Sequence, residues 1–182
     1  ETISSNDGQA TNITSFASGP AQELFDTSEK LHHEKVNANL IDIDIQALAH
    51  VEKKLNDSPQ KINFNLYQNN LIHLALGRRK INLPGQDLVY SIGLIDYFDD
   101  KLVIKLIKYA HTLLKDGGQL VLGNFHTNNP MKAFMDHILE WKLIHRSEED
   151  MDRLFEASNF GKPCSEIRFE DEGINMFAFC TK

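Results

Sequence analysis

Two aspartates stand one residue apart where an apolar run meets a helical pattern, in the segment LIDIDIQALAHV over residues 40–51. A carboxylate at the end of a buried strand is costly unless it has a group to bind. Asp44 directly precedes the helical pattern, and aspartate is a preferred N-cap, so we expect Asp44 to begin the helix. Asp42 stands at the strand end itself, which makes it the candidate for binding a ligand.

A small-residue turn precedes these acids by about two dozen residues. The segment SFASGPAQE places Ser18, Gly19 and Pro20 between an apolar run and a helical stretch. A glycine here allows a tight turn and a close approach of the backbone to a ligand at a helix N-terminus. Taken alone, the turn and Asp42 each have a purely structural explanation. Together, at two strand ends, they favour a nucleoside-bearing cofactor whose ribose hydroxyls donate to Asp42.

The elements that position these residues alternate between strand and helix patterns. The strand candidates are 13–18, 38–42, 62–67, 87–92 and 118–125. The helical stretches lie near 21–34, 45–56, 70–78 and 100–114. Such alternation is typical of βαβ units, which form a parallel sheet with helices on both faces.

The pattern changes after the fifth strand candidate. Two helices follow in succession, the first with Asn129 as N-cap and Pro130 at its first position, the second opened by Ser147 and three acids. Residues 164–182 then read as a hairpin around the turn EDEG. We therefore predict an α/β fold, a Rossmann-like doubly wound and mostly parallel sheet of seven strands that ends in an antiparallel hairpin. One domain spans residues 13–182, after a disordered or truncated lead-in over residues 1–12.

Composition limits the possible partners. The chain has 182 residues, 41% hydrophobic and 25% charged, with a formal net charge of −7, which argues against binding nucleic acid. Its apolar runs are too short to span a bilayer, and the N-terminal residues lack a signal-peptide pattern. The eight histidines and two cysteines lack metal-site spacing. These features predict a cytoplasmic protein, with no metal, no nucleic acid and no stable membrane insertion. A homodimer is a separate expectation.

Five segments in order resemble the class I S-adenosylmethionine-dependent methyltransferases over residues 13–182. They are SFASGPAQE, LIDIDIQAL, QNNLIHL, DLVYSIGLIDYFDD and LLKDGGQLVLGNF. The resemblance implies S-adenosylmethionine as cofactor. Asp42 then binds the ribose, Ile43 lies beside the adenine, and Asn69 stands where the family commonly has an Asp near the adenine amino group. The other implied cofactor-binding residues are Ser18, Gly19, Pro20, Ser91 and Gly93.

The first motif departs from the family pattern. Methyltransferases usually have Asp/Glu-x-Gly-x-Gly-x-Gly after the first strand, whereas this chain has only Gly19, with Ala17 and Ala21 at the neighbouring small-residue positions. Because S-adenosylmethionine has no phosphate, a turn with fewer glycines can still admit its methionine moiety.

A narrower resemblance covers residues 87–153. SIGLIDYFDD, NFHTNNP and EWKLIHRSEEDM resemble the extracellular factor, or hydroxypalmitic acid methyl ester biosynthesis, family. That family implies esterification of a fatty-acid-like acceptor, a long-chain hydroxy fatty acid, to make a quorum-sensing fatty acid methyl ester.

The acceptor should bind in the segments after the fourth and fifth strands. A carboxylate acceptor is already nucleophilic, so proximity, orientation and exclusion of water could suffice without a base. Tyr97 and His126 are the candidate catalytic residues, either to orient the acceptor or, for His126, to act as a base towards a hydroxyl. Packing of Tyr97 at a helix start and solvation of His126 are the structural alternatives. Asp96, Asn124 and Arg146 are the candidate substrate-binding residues, and an arginine suits a fatty carboxylate.

Three other functions compete with this interpretation. The weak first motif allows a degenerate, non-catalytic methyltransferase-like binding module, and a methyltransferase for another small molecule is a further alternative. A dinucleotide-dependent Rossmann enzyme is disfavoured, because GxGxxG does not follow the first strand.

Overall fold

The computed structural model describes residues 10–31, 35–57 and 60–182. In chain order the strands are β1 (Thr11–Phe16), β2 (Val36–Asp42), β3 (Ile62–Gln68), β4 (Gln86–Ser91), β5 (Leu114–Phe125), β6 (Glu166–Phe169) and β7 (Asn175–Thr181). The helices are α1 (Gln22–Lys30), α2 (Ile45–Asp57), α3 (Leu71–Ala75), α4 (Asp100–Leu113), α5 (Lys132–His137) and α6 (Glu148–Glu156), with a short 3₁₀ turn at Ile95–Tyr97.

The seven strands form one sheet in the order β3-β2-β1-β4-β5-β7-β6. The first five pair in parallel, and β7 runs antiparallel to both β5 and β6. The strand order reverses between β1 and β4, which places the crevice for a ligand above the carboxyl ends of these two strands. The predicted fold class, with its terminal hairpin, is confirmed.

Both faces of the sheet are buried under helices, as a parallel sheet requires. One apolar core packs α3, α4 and α6 against the sheet, and a second core lies beneath α1 and α2. Helix α4 shows why the pattern predicts a helix: Val103, Leu106, Ile107 and Ala110 recur at helical spacing and are all buried. Asp99 caps it by accepting from the Leu102 backbone N–H at 2.9 Å.

Several predicted boundaries are wrong by a few residues. Strand β5 begins at Leu114 rather than at residue 118, because Leu114 already pairs with Gln86 of β4, and α3 ends at Ala75 rather than near residue 78. Strand β1 begins at Thr11 rather than at residue 13, because residues 11 and 12 already pair with β2. Helix α5 begins at Lys132, two residues after the predicted start, because the Asn129 side chain accepts from the Met131 backbone N–H at 2.9 Å and closes a turn. Residues 1–9 of the predicted lead-in, and residues 32–34 of the predicted first helix, lie outside the described residues.

Two tyrosine hydroxyls in the cores differ in their partners. Tyr90 donates to Glu23 at 2.6 Å, and burial raises the pKa of the Tyr90 phenol. The buried hydroxyl of Tyr109 has no hydrogen-bond partner, and burial raises the pKa of this phenol to about 12.

Ser147 and Asp150 form the capping box that begins α6.

Candidate functional site

The turn after β1 has an alternating backbone conformation. Ala17, Gly19 and Ala21 have φ angles of 51°, 51° and 50°, all in the left-handed region. Their spacing matches that of the three glycines in the first motif of the methyltransferases that the sequence resembles, and the left-handed region is one that glycine adopts without steric cost. Left-handed conformation costs roughly 1–2 kcal/mol at a residue with a Cβ. The turn therefore stores strain beside the crevice.

Asp42 connects this turn to the end of β2. Its Oδ2 accepts from the Gly19 backbone N–H at 2.7 Å, and its Oδ1 accepts from the Asp44 backbone N–H at 2.9 Å. A carboxylate has about four acceptor positions, so two remain for a ligand. Asp44 in turn accepts from the Gln46 backbone N–H at 2.8 Å and caps α2, as predicted. The two acids thus have separate roles.

A first cavity of about 130 Å³ lies beside Asp42. The segments after β1, β2, β3 and β4 contribute to its lining, which includes Ala17, Asp42, Ile43, Asn69, Leu94 and Phe98. Ile43 is 63% exposed, an unusual fraction for isoleucine, and it presents an apolar surface next to a polar edge. The Asn69 backbone N–H donates to the Asp42 carbonyl at 2.9 Å, which holds the two strand ends together. This cavity has an apolar wall with a carboxylate and an amide at its edge.

A second cavity of about 260 Å³ lies at the ends of β4 and β5. Ile92, Gly93, Asp96 and Tyr97 line it from one side, and the other side includes Phe125, Trp141 and Phe177. Gly93 lines this cavity whereas Leu94 lines the first one, so the segment after β4 contributes to both. The lining is mainly apolar, with a few polar groups, as is typical of small-molecule sites.

Asp96 is the carboxylate of the second cavity, and only 1% of its surface is exposed. Its Oδ1 accepts from the Phe125 backbone N–H at 2.7 Å. Its Oδ2 is buried without a hydrogen-bond partner in another residue. Burial raises the pKa of the Asp96 carboxyl, although backbone N–H groups and the nearby Arg146 and His145 favour its charged form.

Tyr97 and Trp141 form part of the wall of the second cavity. The indole Nε1–H of Trp141 donates to the Tyr97 hydroxyl at 2.9 Å, while the two side chains are 42% and 54% exposed, respectively. The Trp141 ring also meets Phe125 edge-on at 6.1 Å between centroids. The Tyr97 hydroxyl keeps its own proton for a further hydrogen bond.

Arg146 is buried beneath this cavity and does not line it. Its guanidinium donates to the carbonyls of Ile95 and Phe98, to Asn124 Oδ1 and to Asp100 Oδ1, at 2.7–3.2 Å. With its donors engaged and 2% of its surface exposed, Arg146 holds the segment after β4 against β5. The structure therefore gives it a positioning role and no free face for a fatty carboxylate.

His126 also lies outside both cavities. Its Nε2 is 2.9 Å from Glu148 Oε2, and its Nδ1 accepts from the Asn128 backbone N–H at 3.3 Å. The ring is 5% exposed and meets Phe169 edge-on. His126 is therefore neither solvated nor placed to contact an acceptor in either cavity. It connects the end of β5 to α6 and β6.

The remaining predicted residues divide between lining and support. Asp42, Ile43 and Asn69 line the first cavity, while Gly93, Asp96, Tyr97 and Asn124 line the second. Ser18, Gly19, Pro20 and Ser91 line neither. Ser91 is buried and donates to the Phe16 carbonyl at 2.9 Å, whereas Pro20 is exposed.

The sequence did not indicate Phe177. This residue reaches the second cavity because β7 pairs with β5 in a register that sets Phe177 opposite Gly123. A Cβ added at Gly123 would lie 3.3 Å from the Phe177 ring, so the glycine provides room for the aromatic wall. The register of the terminal hairpin, the signal that would have revealed Phe177, is not readable from periodicity alone.

The described ranges lack two features, a metal-binding cluster and a membrane-spanning helix. Among residues 10–31, 35–57 and 60–182, no group of three or more His, Cys, Asp or Glu side chains is arranged to hold a metal ion. In the same part of the chain, no helix has the length and apolar character needed to cross a membrane.

Comparison with solved structures shows that the chain has the Rossmann-like fold of the class I S-adenosylmethionine-dependent methyltransferases. One neighbour is such a methyltransferase from Methanosarcina mazei, with a TM-score of 0.67 and 17% identity, covering 99% of this chain and 96% of that one. PigF, solved with S-adenosylhomocysteine, has a TM-score of 0.70 and 12% identity, with 94% and 50% coverage. A possible exported protein of Bordetella parapertussis has a TM-score of 0.73 and 19% identity, with 94% and 61% coverage.

The chain spans only about 50–61% of the length of the first four neighbours. No model of a protein family matches the sequence, and no curated protein matches it either. At identities below 25% the likeness shows the fold alone.

Proposed function

We propose that the chain is an S-adenosylmethionine-dependent methyltransferase whose cofactor lies above β1 and β2. The observation that carries the proposal is the carboxylate of Asp42. It is anchored by two backbone N–H groups at the switch point of the sheet, and it retains two acceptor positions beside a cavity. Hydroxyl donors on adjacent carbons of a ribose match such an acceptor pair.

The rest of the first cavity suits the adenine. Ile43 offers an exposed apolar surface for the ring face, and Leu94 and Phe98 form apolar lining from the segment after β4. Asn69 provides an amide at the cavity edge, and an amide oxygen accepts from an amino group. Gly19 has no side chain, and a Cβ built there meets no atom within 4 Å, so the space beside this turn is open. The methionine moiety of the cofactor can occupy that space.

The chemistry that these residues support is an in-line methyl transfer. When bound, S-adenosylmethionine supplies a methyl group on a positively charged sulfur, which leaves as a neutral thioether. Gly93 and Asp96 line the second cavity and Leu94 lines the first, so the segment after β4 brings the two cavities side by side. Tyr97 and Trp141 orient the acceptor and exclude water, and the apolar walls strengthen the remaining polar contacts.

The hydroxy fatty acid acceptor implied by the narrower resemblance is a second candidate. The apolar lining of the second cavity favours an aliphatic or aromatic acceptor. However, the described residues that line this cavity include the carboxyl group of Asp96 and no Lys, Arg or His, and Arg146 is engaged elsewhere. A carboxylate acceptor would therefore lack a cation. Mass-spectrometric detection of the methyl ester after incubation with hydroxypalmitate and S-adenosylmethionine tests this candidate.

Calorimetric titration with S-adenosylhomocysteine tests the cofactor assignment. We expect saturable binding with one site per chain, and competition by S-adenosylmethionine. Binding of neither compound would favour the alternative of a non-catalytic module that acts through protein contacts. A homodimer also stays a prediction, which sedimentation equilibrium can test with and without S-adenosylhomocysteine.

A further inference from the structure

The second cavity contains an unused acceptor atom. Asp96 is almost fully buried and lines the cavity, yet its Oδ2 has no hydrogen-bond partner in another residue. The other carboxyl oxygen is already engaged with the Phe125 backbone N–H, which supports the local structure. A buried carboxylate oxygen without a partner carries a free-energy penalty and is unusual in a folded protein. It therefore needs an explanation that the fold alone does not provide.

The neighbouring polar groups do not supply the missing donor. The amide nitrogen of Asn124 donates to the carbonyls of Phe125 and Ile144, and its oxygen accepts from Arg146. The Tyr97 hydroxyl accepts from Trp141 and keeps its own proton, but it makes no hydrogen bond to Asp96 Oδ2. None of the described residues donates to Asp96 Oδ2, and a molecule in the cavity can supply that donor.

We propose that the methyl acceptor carries an O–H or N–H group that donates to Asp96, and that Asp96 is the general base of the transfer. The inference rests on the proposed function, because it requires a methyl donor in the first cavity. It deepens that function by naming the acceptor class: a small, mainly apolar alcohol, phenol or amine. A cavity of about 260 Å³ lies just below the ~300–1,000 Å³ of drug-sized sites, which suits one or two rings or the reactive end of a chain.

The step is balanced in atoms and charge. The acceptor oxygen or nitrogen forms a bond to the methyl carbon, and the sulfur–methyl bond breaks so that its electron pair returns to sulfur. The O–H or N–H proton passes to Asp96 Oδ2, which becomes a neutral carboxylic acid and later releases the proton to water. A positive sulfonium and a negative carboxylate are both neutralised, so the transfer reduces buried charge.

Three probes that share a naphthalene ring and differ in their polar group test the acceptor class by binding alone. We would titrate 2-naphthol, 2-naphthylamine and 2-naphthoate into the S-adenosylhomocysteine-loaded protein and measure binding by ligand-detected NMR. The wild type should bind the naphthol and the amine and reject the carboxylate. Asp96→Asn should weaken the naphthol about 10- to 100-fold, the factor for a hydrogen bond to a charged group, and should no longer reject the carboxylate.

Asp99→Asn is the matched control. It removes the same charge three residues away, outside the cavity lining, and asparagine also caps a helix, so it should leave the order of probe affinities unchanged. For a probe that binds, methyl transfer measured by product mass should fall about 10²- to 10⁴-fold in Asp96→Asn, as for loss of a general base.

The possible results separate the two claims. If S-adenosylhomocysteine does not bind, the proposed function fails and the inference fails with it. If it binds but the carboxylate probe binds as well as the naphthol, or no probe binds, the inference is overturned while the cofactor assignment stands. Equal naphthol affinity or transfer in the wild type and in Asp96→Asn would also overturn it.

Discussion

Replacing the strained alanines after β1 with glycine should change the free energy of unfolding by an amount that depends on how deeply each alanine is buried. Ala17 and Ala21 both have left-handed φ angles, which costs roughly 1–2 kcal/mol relative to glycine. Glycine gives back about 0.4–1 kcal/mol through the greater entropy of the unfolded chain. It also loses a methyl contact, which is worth about 0.8 kcal/mol when the methyl group is fully buried.

The two sites differ in this last contribution. Ala21 is 1% exposed, so Ala21→Gly loses a whole buried methyl and should leave the free energy of unfolding almost unchanged. Ala17 is only partly buried, so Ala17→Gly should stabilise the protein by about 0.5 kcal/mol. The reverse substitution, Gly19→Ala, should destabilise it by about 0.5–1 kcal/mol, purely through its backbone, because the new Cβ meets no atom within 4 Å.

Urea unfolding with linear extrapolation measures these differences. Ala49→Gly is the matched control, because Ala49 is exposed within α2 and glycine there should destabilise the helix by about 1 kcal/mol. Ala17→Gly and Ala49→Gly should therefore change stability in opposite directions. Equal destabilisation by both would refute the strained-turn interpretation.

Three further predictions concern buried groups. Tyr109→Phe removes a hydroxyl without a partner and should be neutral or stabilising by up to about 1 kcal/mol, whereas Tyr90→Phe should cost about 1 kcal/mol; chemical unfolding distinguishes them. Arg146→Lys should cost about 3 kcal/mol or more, because a lysine cannot serve the same carbonyls and carboxylate, whereas the exposed Arg153→Lys should change unfolding by less than about 0.5 kcal/mol. The folded state holds the Asp96 proton at pH values where the unfolded chain has lost it, so this group reduces stability as the pH rises from 3.8 through its raised pKa. Asp96→Asn should therefore gain stability over the wild type above that range, measured as a difference between unfolding curves across pH; a constant difference would contradict the raised pKa.

The fold was predictable because its signals are local. Strand ends, the helical spacing of α4 and the hairpin turn each depend on a few neighbouring residues, and the alternation of strands and helices indicates a parallel sheet. Asp42 and Asp44 could be assigned separate roles for the same reason, since one ends a strand and the other precedes a helix. The start of α5 was misplaced because Asn129 can close a turn as readily as cap a helix.

The acceptor side was less predictable because its contacts are distant in sequence. Arg146 and His126 look equally available in the sequence, yet the first is engaged by residues about 50 positions earlier and the second by Glu148. The unpaired oxygen of Asp96 likewise emerges only once β4, β5 and the segment near Ile144 are packed together. Burial and pairing of polar groups are properties of the tertiary structure, which residue type alone does not reveal.

Titration of S-adenosylhomocysteine into a pair of charge-matched variants tests the central claim most directly. Asp42→Asn and Asp44→Asn each remove one negative charge at the end of β2, but only Asp42 faces the first cavity, and asparagine preserves the cap at position 44. The wild type and Asp44→Asn should bind with equal affinity, while Asp42→Asn should bind about 10- to 100-fold more weakly. Equal binding by all three proteins, or equal loss in both variants, would contradict the assignment of Asp42 to the ribose of the cofactor.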